Sequence, residues 1–198
     1  MSDAYDPLNY ENLARSVVTA LLENPLHPLP PKERFAGAGV YAIYYSGPLD
    51  FYGPISSCEC RVPIYVGKAI PEGGRKGVSS DTGGSGSPLY NRLRQHAKSV
   101  GHAENLDAAD FHCRFLVVVP IWITLAERFL TSHFKPVWNV TVDGFGNHDP
   151  GKGRRAMRRP VWDIVHPGRP WAGRLEADRT QEQVIRDIRS ALESAASS

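Results

Sequence analysis

Two short apolar runs constrain this chain most: GAGVYAIYYSG, beginning at Gly37, and VPIYVGKA, beginning at Val62. Both read as strands near glycine, rich in β-branched and aromatic residues. Each sets a tyrosine beside a valine, and the second runs on into Lys68. On a strand Ile64 and Val66 share one face, so Tyr65 points to the other and its hydroxyl can leave the apolar layer. Such residues suit a packed sheet. They also suit a site for a phosphate.

The other elements follow from periodicity. NYENLARSVVTALLE, from Asn9, places Leu13, Val17 and Leu21 at four-residue spacing, the mark of an amphipathic helix. The proline-rich NPLHPLPPKERF cannot continue it. PLYNRLRQHAKSV reads as a helix with Leu89 and Leu93 on one side, HCRFLVVVP as a third strand, and WITLAERFLTSHFKP as a helix ending before Pro136. WDIVHPGRPWAG reads as irregular covering. TQEQVIRDIRSALESA reads as a helix with a capping box from Thr180 to Gln183 and an apolar face of Val184, Ile188 and Leu192. The order strand, strand, helix, strand, helix predicts an α+β fold, with a small three-stranded, mainly antiparallel sheet flanked by helices. The 198 residues are expected to form a single domain. Within it, 1–36 is an N-terminal helix and proline-rich arm and 37–140 the core. Insertions fall at 46–61 and 71–88, and 141–198 is a basic segment with a C-terminal helix.

Composition narrows the class. A hydrophobic fraction of 41% and a charged fraction of 22% are ordinary for a globular protein. No apolar run approaches the roughly 20 residues needed to span a bilayer. The polar N-terminus MSDAYDPLNYEN is unlike a secretory signal. Three cysteines make no disulfide framework, so a reducing cytoplasm is the expected location. Net charge is only +2, but KGRRAMRR at Lys152 to Arg159 is strongly basic, while Glu104, Asp107 and Asp110 gather elsewhere. That separation points to an anionic partner for one face. Cys58, Cys60, His112 and Cys113 are chemically zinc ligands, but neighbours on a strand such as His112 and Cys113 point apart. The Gly- and Ser-rich stretch 71–88 contains no G-x-x-x-x-G-K-[ST], which disfavours a nucleotide site.

The order of elements and the residues on them resemble the GIY-YIG nuclease domain. Gly39-Val40-Tyr41 matches the first strand motif and Tyr65-Val66-Gly67 the second. Arg92 lies on the following helix, Glu127 on a later one within LAERFL, and Asn139 closes PVWN. The resemblance covers Gly37 to Asn139, and the two insertions depart from the compact family core. It implies metal-assisted hydrolysis of a phosphodiester, with Glu127 holding Mg²⁺ and Mn²⁺ able to substitute. It also gives catalytic roles to Tyr41, Tyr65, Arg92, Glu127 and Asn139, and residue chemistry adds Lys68 and His96 as catalytic candidates.

The residue chemistry points the same way. Arg92 and His96 stand four apart on one helix face. The guanidinium of Arg92 offers a phosphate a planar fork of donors, and Lys68 adds a second cation. Glu127, between Leu125 and Phe129 in an apolar helix, needs a partner: a hard cation, or an ion pair with Arg128 or Arg114. Ionising a tyrosine at neutral pH, against an ordinary pKa near 10, costs about 4 kcal/mol. Tyr41, Tyr65 and His96 are therefore three candidates for the general base, and Asn139 braces the site by hydrogen bonds. Tyr44 and Tyr45 compete with Tyr41 but lie outside the Gly-Val-Tyr context.

The Arg-x-x-x-His spacing, Lys68 and the segment GNHDPGKGR resemble the type II restriction endonuclease branch, and within it the enzymes of SacII specificity, which cut the palindrome CCGCGG. The insertions and the basic segment after Asn139 are expected to read base edges, arginine and lysine being suited to guanine O6 and N7, and the DNA contacts expected are Arg75, Lys76, Arg94, Asn147, His148, Lys152, Arg154, Arg155, Arg158 and Arg159. One catalytic set per chain on a palindromic double-stranded target implies a homodimer. An active enzyme of this kind implies a cognate DNA methyltransferase in the same cell. Two other readings remain: a repair or recombination nuclease that reads DNA structure, and a DNA-binding module with an inert site. Plasmid digestion with Mg²⁺ separates them: a defined ladder, sparing of intact duplex, or a mobility shift without cutting.

Overall fold

The protein is described by a computed structural model covering residues 9–71, 86–149 and 157–196. Its sheet comprises β1 (His27–Pro28), β2 (Gly39–Tyr45), β3 (Tyr65–Ala69) and β4 (Phe111–Val117), in the spatial order β1-β4-β2-β3 with every pairing antiparallel. The sheet thus has four strands rather than the predicted three. The extra one comes from the proline-rich arm, where His27 pairs with Cys113 and Pro28 with His112. A proline is tolerated there because the outer side of an edge strand needs no ladder N–H.

All seven residues of β2 are buried, as befits a strand with helices on both faces. Tyr41, Ile43 and Tyr45 join one cluster with Leu89 and Leu93 of α2 (Pro88–His102) and Val184 and Ile188 of α6 (Gln181–Ala196). Val40, Ala42 and Tyr44 join the other, with Val18 and Leu21 of α1 (Tyr10–Leu22) and Ile123, Ala126 and Leu130 of α3 (Ile123–Phe134). The capping box on α6 is formed: Gln183 N donates to Thr180 Oγ1 at 3.3 Å, and Thr180 N to Gln183 Oε1 at 2.8 Å.

Three sequence expectations change. Ile64 does not share a face with Val66. Strand β3 begins only at Tyr65, and Ile64 packs in the cluster of Tyr41. Within the insertion 46–61, the 3₁₀ turn Asp50–Ile55 buries Phe51, Tyr52 and Ile55, and its Asp50 pairs with Arg189 of α6 at 2.6 Å. The turn is therefore part of the core. The segment read as irregular covering holds α5 (Val161–Val165), where Trp162 and Val165 are fully buried, followed by buried His166. Among the described residues no helix is long and apolar enough to cross a membrane.

A buried polar chain ties these parts together. Trp138 Nε1 donates to Tyr52 Oη at 2.6 Å, and Tyr52 Oη lies 2.8 Å from His166 Nε2. His166 Nδ1 lies 3.0 Å from Asn105 Oδ1, and Asn105 Nδ2 donates to Val165 O at 2.9 Å. With Asn105 Oδ1 an acceptor, His166 carries its proton on Nδ1 and accepts from Tyr52 at Nε2. Burial pushes its pKa down to about 3, so it is neutral in the fold. Below the ordinary value of 6.5 the unfolded chain binds a proton that the folded one refuses, so stability falls with pH by about 1.4 kcal/mol per unit for this group. Denaturant unfolding at pH 7 and pH 5 checks this: the acid-side loss in His166→Gln is expected to be smaller than in the wild type by about 2 kcal/mol.

Candidate active site

The register of β2 against β3 sets the geometry of the cleft. Tyr41 is the direct partner of Gly67 across the ladder. A Cβ at Gly67 would overlap the hydroxyl of Tyr41 and sit 2.6 Å from its Cζ, so the ring of Tyr41 lies where a side chain would be. Gly39 is likewise tied to close approach, since a Cβ there would run into the backbone of Leu116 and Val118. The glycine of each strand motif is thus a steric requirement. Tyr44, three residues along, faces the other cluster, with the Arg114 guanidinium 5.0 Å from its ring centre.

β3 is an edge strand, and Asn139 covers its open side. Asn139 Oδ1 accepts from Val66 N at 2.8 Å, and its Nδ2 donates to Val66 O at 2.9 Å, while Trp138 N donates to Ile64 O at 3.0 Å. The short helix α4 (Val137–Val140) therefore supplies the hydrogen bonds that a fifth strand would. It fixes the backbone between Tyr65 and Gly67.

Tyr41 Oη lies 2.6 Å from His96 Nε2, both side chains buried. Burial, then the charge of Arg92, holds the pKa of His96 well below 6.5, so His96 is neutral and Nε2 accepts the hydroxyl proton. Burial raises the Tyr41 hydroxyl well above 10, with Tyr65 adding to the shift and Arg92 opposing it. Tyr65 is raised as well, again by burial first, with Arg92 opposing. The Tyr41 and Tyr65 rings are 6.2 Å apart.

Arg92 reaches the cleft from α2. Its Nη1 donates to Gln95 Oε1 at 3.2 Å and to His148 Nε2 at 2.7 Å, and its Nη2 donates to Gly146 O at 3.1 Å. A guanidinium has no acceptor, so His148 accepts and is neutral at this contact. Burial and Arg92 hold its pKa below 6.5. On the opposite side, Lys68 Nζ donates to Glu127 Oε2 at 2.6 Å, with side-chain exposures of 29% and 26%. The partner that Glu127 needs is thus Lys68; Arg114 spends its donors on Asn24 O and Cys60 O.

Tyr41, Tyr65, Lys68, Arg92, Gln95 and Glu127 line one cleft of about 550 Å³. Glu127 is the one carboxylate among its described lining residues. The described residues contain no cluster of three or more His, Cys, Asp or Glu placed to hold a metal, and Cys60 and Cys113 lie in different clusters of the core. A single carboxylate beside room for phosphate oxygens and water fits Mg²⁺, which keeps much of its water and takes one or two protein carboxylates. It does not fit a structural zinc.

The remaining residues expected to touch DNA fall into two groups. Arg75, Lys76, Lys152, Arg154 and Arg155 lie outside the described residues. Arg94 is exposed, 5.9 Å from the Tyr90 ring centre, and Asn147 is exposed near His148. Arg158 pairs with Glu176 at 2.6 Å and Asp178 at 3.1 Å. Arg159 donates from Nε to Ala172 O and Leu175 O, and from Nη2 to Gly173 O. Sequence reasoning missed Asp163 and Arg169, a buried ion pair behind the loop that carries His148. The available signal was a carboxylate inside the apolar run Trp162 to Val165.

Two tyrosine-bearing strands of an antiparallel sheet, set between an arginine helix and a carboxylate helix, make up the arrangement of a GIY-YIG nuclease. A comparison with family models matches residues 33–192 to the Eco29kI GIY-YIG domain, and the chain belongs to that family of restriction-type nucleases. No curated protein matches the chain.

Two substitutions test the packing. Gly67→Ala should cost ~1–3 kcal/mol in denaturant unfolding because the methyl overlaps the Tyr41 ring. At Gly101 of α2, where a Cβ meets nothing within 4 Å, alanine should be neutral or stabilising by up to ~1 kcal/mol. Arg159→Ala should lower stability and leave the salt dependence of DNA binding unchanged, because its donors serve carbonyls; a slope reduced by ~0.9 would make it a phosphate contact instead.

Proposed function

We propose that the chain is a type II restriction endonuclease that hydrolyses double-stranded DNA with Mg²⁺, acting as a homodimer on the GC-rich palindrome CCGCGG. The observation that carries the catalytic part is the convergence of Tyr41, Tyr65, Lys68, Arg92 and Glu127 on one cleft. The target sequence is carried by the resemblance alone. A cytoplasmic location and a cognate methyltransferase in the same cell complete the reading.

In this reading Arg92 holds the scissile phosphate by a charge-assisted fork, pre-aimed by Gly146 O and His148. Glu127 would hold Mg²⁺, which when bound would supply Lewis-acid stabilisation of developing negative charge. Lys68 adds positive charge beside it. The attacking water gives a proton to Tyr41 Oη while the proton of Tyr41 passes to His96 Nε2. The water oxygen bonds to phosphorus, the bond to the leaving oxygen breaks, and that oxygen takes a proton from solvent. Burial is the main cause of the low pKa of His96, and an anionic phosphate on Arg92 would offset the smaller part that Arg92 adds, so His96 accepts the proton more readily with DNA bound. Tyr65 orients the water, and Asn139 holds the strand from which Tyr65 projects.

Plasmid digestion with Mg²⁺ tests the reading, and a fixed ladder with CCGCGG at every end supports it. Cutting only at branched or damaged DNA would make the chain a repair or recombination nuclease, and binding without any cutting would make it an inert module. Glu127→Gln should lose cutting and still bind DNA. Tyr41→Phe and Tyr65→Phe should each cut at least ~100-fold more slowly, whereas Tyr44→Phe, on the other face, should cut almost normally. The acid limb provides a further check. Neutral His96 is required, and its pKa is depressed, so the rate should hold as pH drops through 6.5 and decline only below it. A decline centred above 6.5 would assign the base elsewhere.

A further inference from the structure

Arg169 and Asp163 are 3% and 2% exposed, and nothing in the reaction just described uses them. Arg169 Nε donates to Asp163 Oδ1 at 2.5 Å, and Nη2 pairs with Asp163 Oδ2. Nη1 also donates to Phe145 O at 3.2 Å and Asn147 O at 3.1 Å, and Nη2 to Gly144 O at 3.0 Å. All five donors of the guanidinium are engaged. Its central carbon lies 4.6 Å from the ring centre of Trp162 and 4.9 Å from that of Trp171. A buried ion pair is by itself weak evidence of added stability, so its position calls for another account.

The loop that Arg169 grips has two sides. Carbonyls 144, 145 and 147 turn to Arg169, while carbonyl 146 and the His148 ring turn to Arg92. The ring of Phe145 in the same loop stacks on His96 at 4.5 Å and meets Tyr65 edge-on at 5.0 Å. Two arginines thus hold one loop through different groups. One is locked in the core and the other reaches into the cleft.

We propose that Asp163 and Arg169 are positioning residues: through the loop 144–148 they present Gly146 O and His148 Nε2 to Arg92 and so aim its guanidinium at the phosphate. The proposal rests on the reading of Arg92 as the phosphate-holding cation. A flexible arginine on an open helix face has many rotamers, and fixing it before substrate arrives removes that entropy from the reaction. Asp163 keeps Arg169 compensated in the core, and the loop carries the constraint outward to a side chain that neither residue touches.

A double-mutant cycle with two readouts tests this. His148→Ala changes an exposed side chain, so the protein should fold normally. Its single-turnover cutting at saturating DNA should slow at least about 10-fold, with restoration by His148→Gln, whose amide oxygen can accept from Arg92. Arg169→Lys keeps the charge on Asp163 but cannot serve three carbonyls. It should slow cutting similarly in the wild-type background and hardly at all in Arg92→Ala, because coupled residues are not additive. Equal effects of Arg169→Lys in both backgrounds would overturn the proposal and make the pair merely structural. The second readout needs no cutting. The side-chain NMR signals of Arg92 should report a held guanidinium in the wild type and free rotation in His148→Ala and Arg169→Lys. Unchanged Arg92 signals in both variants also defeat the proposal. A held Arg92 in a wild type that cuts no DNA would instead leave the positioning intact and refute the nuclease reading.

Discussion

The opposition of Tyr41 and Gly67 on neighbouring strands is the contact on which the cleft depends. An antiparallel ladder fixes which residues face each other, and a slip of one residue would send every side chain to the other face. Here the ladder puts a large ring opposite a residue without a side chain, and the ring occupies the vacant volume. The Tyr41 hydroxyl thereby reaches His96 on one side and the cleft on the other. Because β3 is an edge strand, this register needs support from outside, and the paired hydrogen bonds of Asn139 to Val66 provide it. An asparagine remote in sequence thus holds the frame of the site, whatever else it contacts.

Electrostatics in the cleft follow from burial combined with one dominant cation. Desolvation alone raises tyrosine and lowers histidine. Arg92 opposes the first shift and adds to the second, so Tyr41 and Tyr65 are drawn back toward ionisation while His96 and His148 are kept neutral. Both histidines are thereby fixed as acceptors, one for a hydroxyl and one for a guanidinium. Glu127 of the Lys68–Glu127 pair lines the same cleft and works against Arg92 at both tyrosines, raising them where Arg92 lowers them. The cleft thus holds a fork of donors from Arg92 and a carboxylate compensated by Lys68.

Much of this was legible in the sequence, for definite reasons. The Gly-Val-Tyr context singled out Tyr41 from Tyr44, and helical spacing puts Arg92 and His96 on one face, so short-range pattern placed those side chains. The carboxylate of Glu127 stood out because it interrupts an apolar helix. What was not legible depends on long-range pairing. Two residues of the N-terminal arm form a fourth strand, too short to show any period. The segment 161–174 looked irregular because its helices are a turn or so long, yet it fills the core. The partner of Glu127 proved to be Lys68, 59 residues away and across a strand–helix contact, rather than an arginine nearby in sequence.

Arg158, Arg159 and Arg169 show why a count of positive residues is a poor guide to function. All three are arginines on the C-terminal side of the core, yet they do different work. Arg158 is balanced by two acidic residues at the surface, where such pairs contribute little. Arg159 ties the backbone between residues 172 and 175. Arg169 is buried with all its donors engaged and holds the loop that meets Arg92. The acceptors of the latter two are mostly backbone carbonyls, which no side-chain pattern encodes. The charge of an arginine is visible in sequence, but its function is set by the acceptors that the fold brings to its guanidinium.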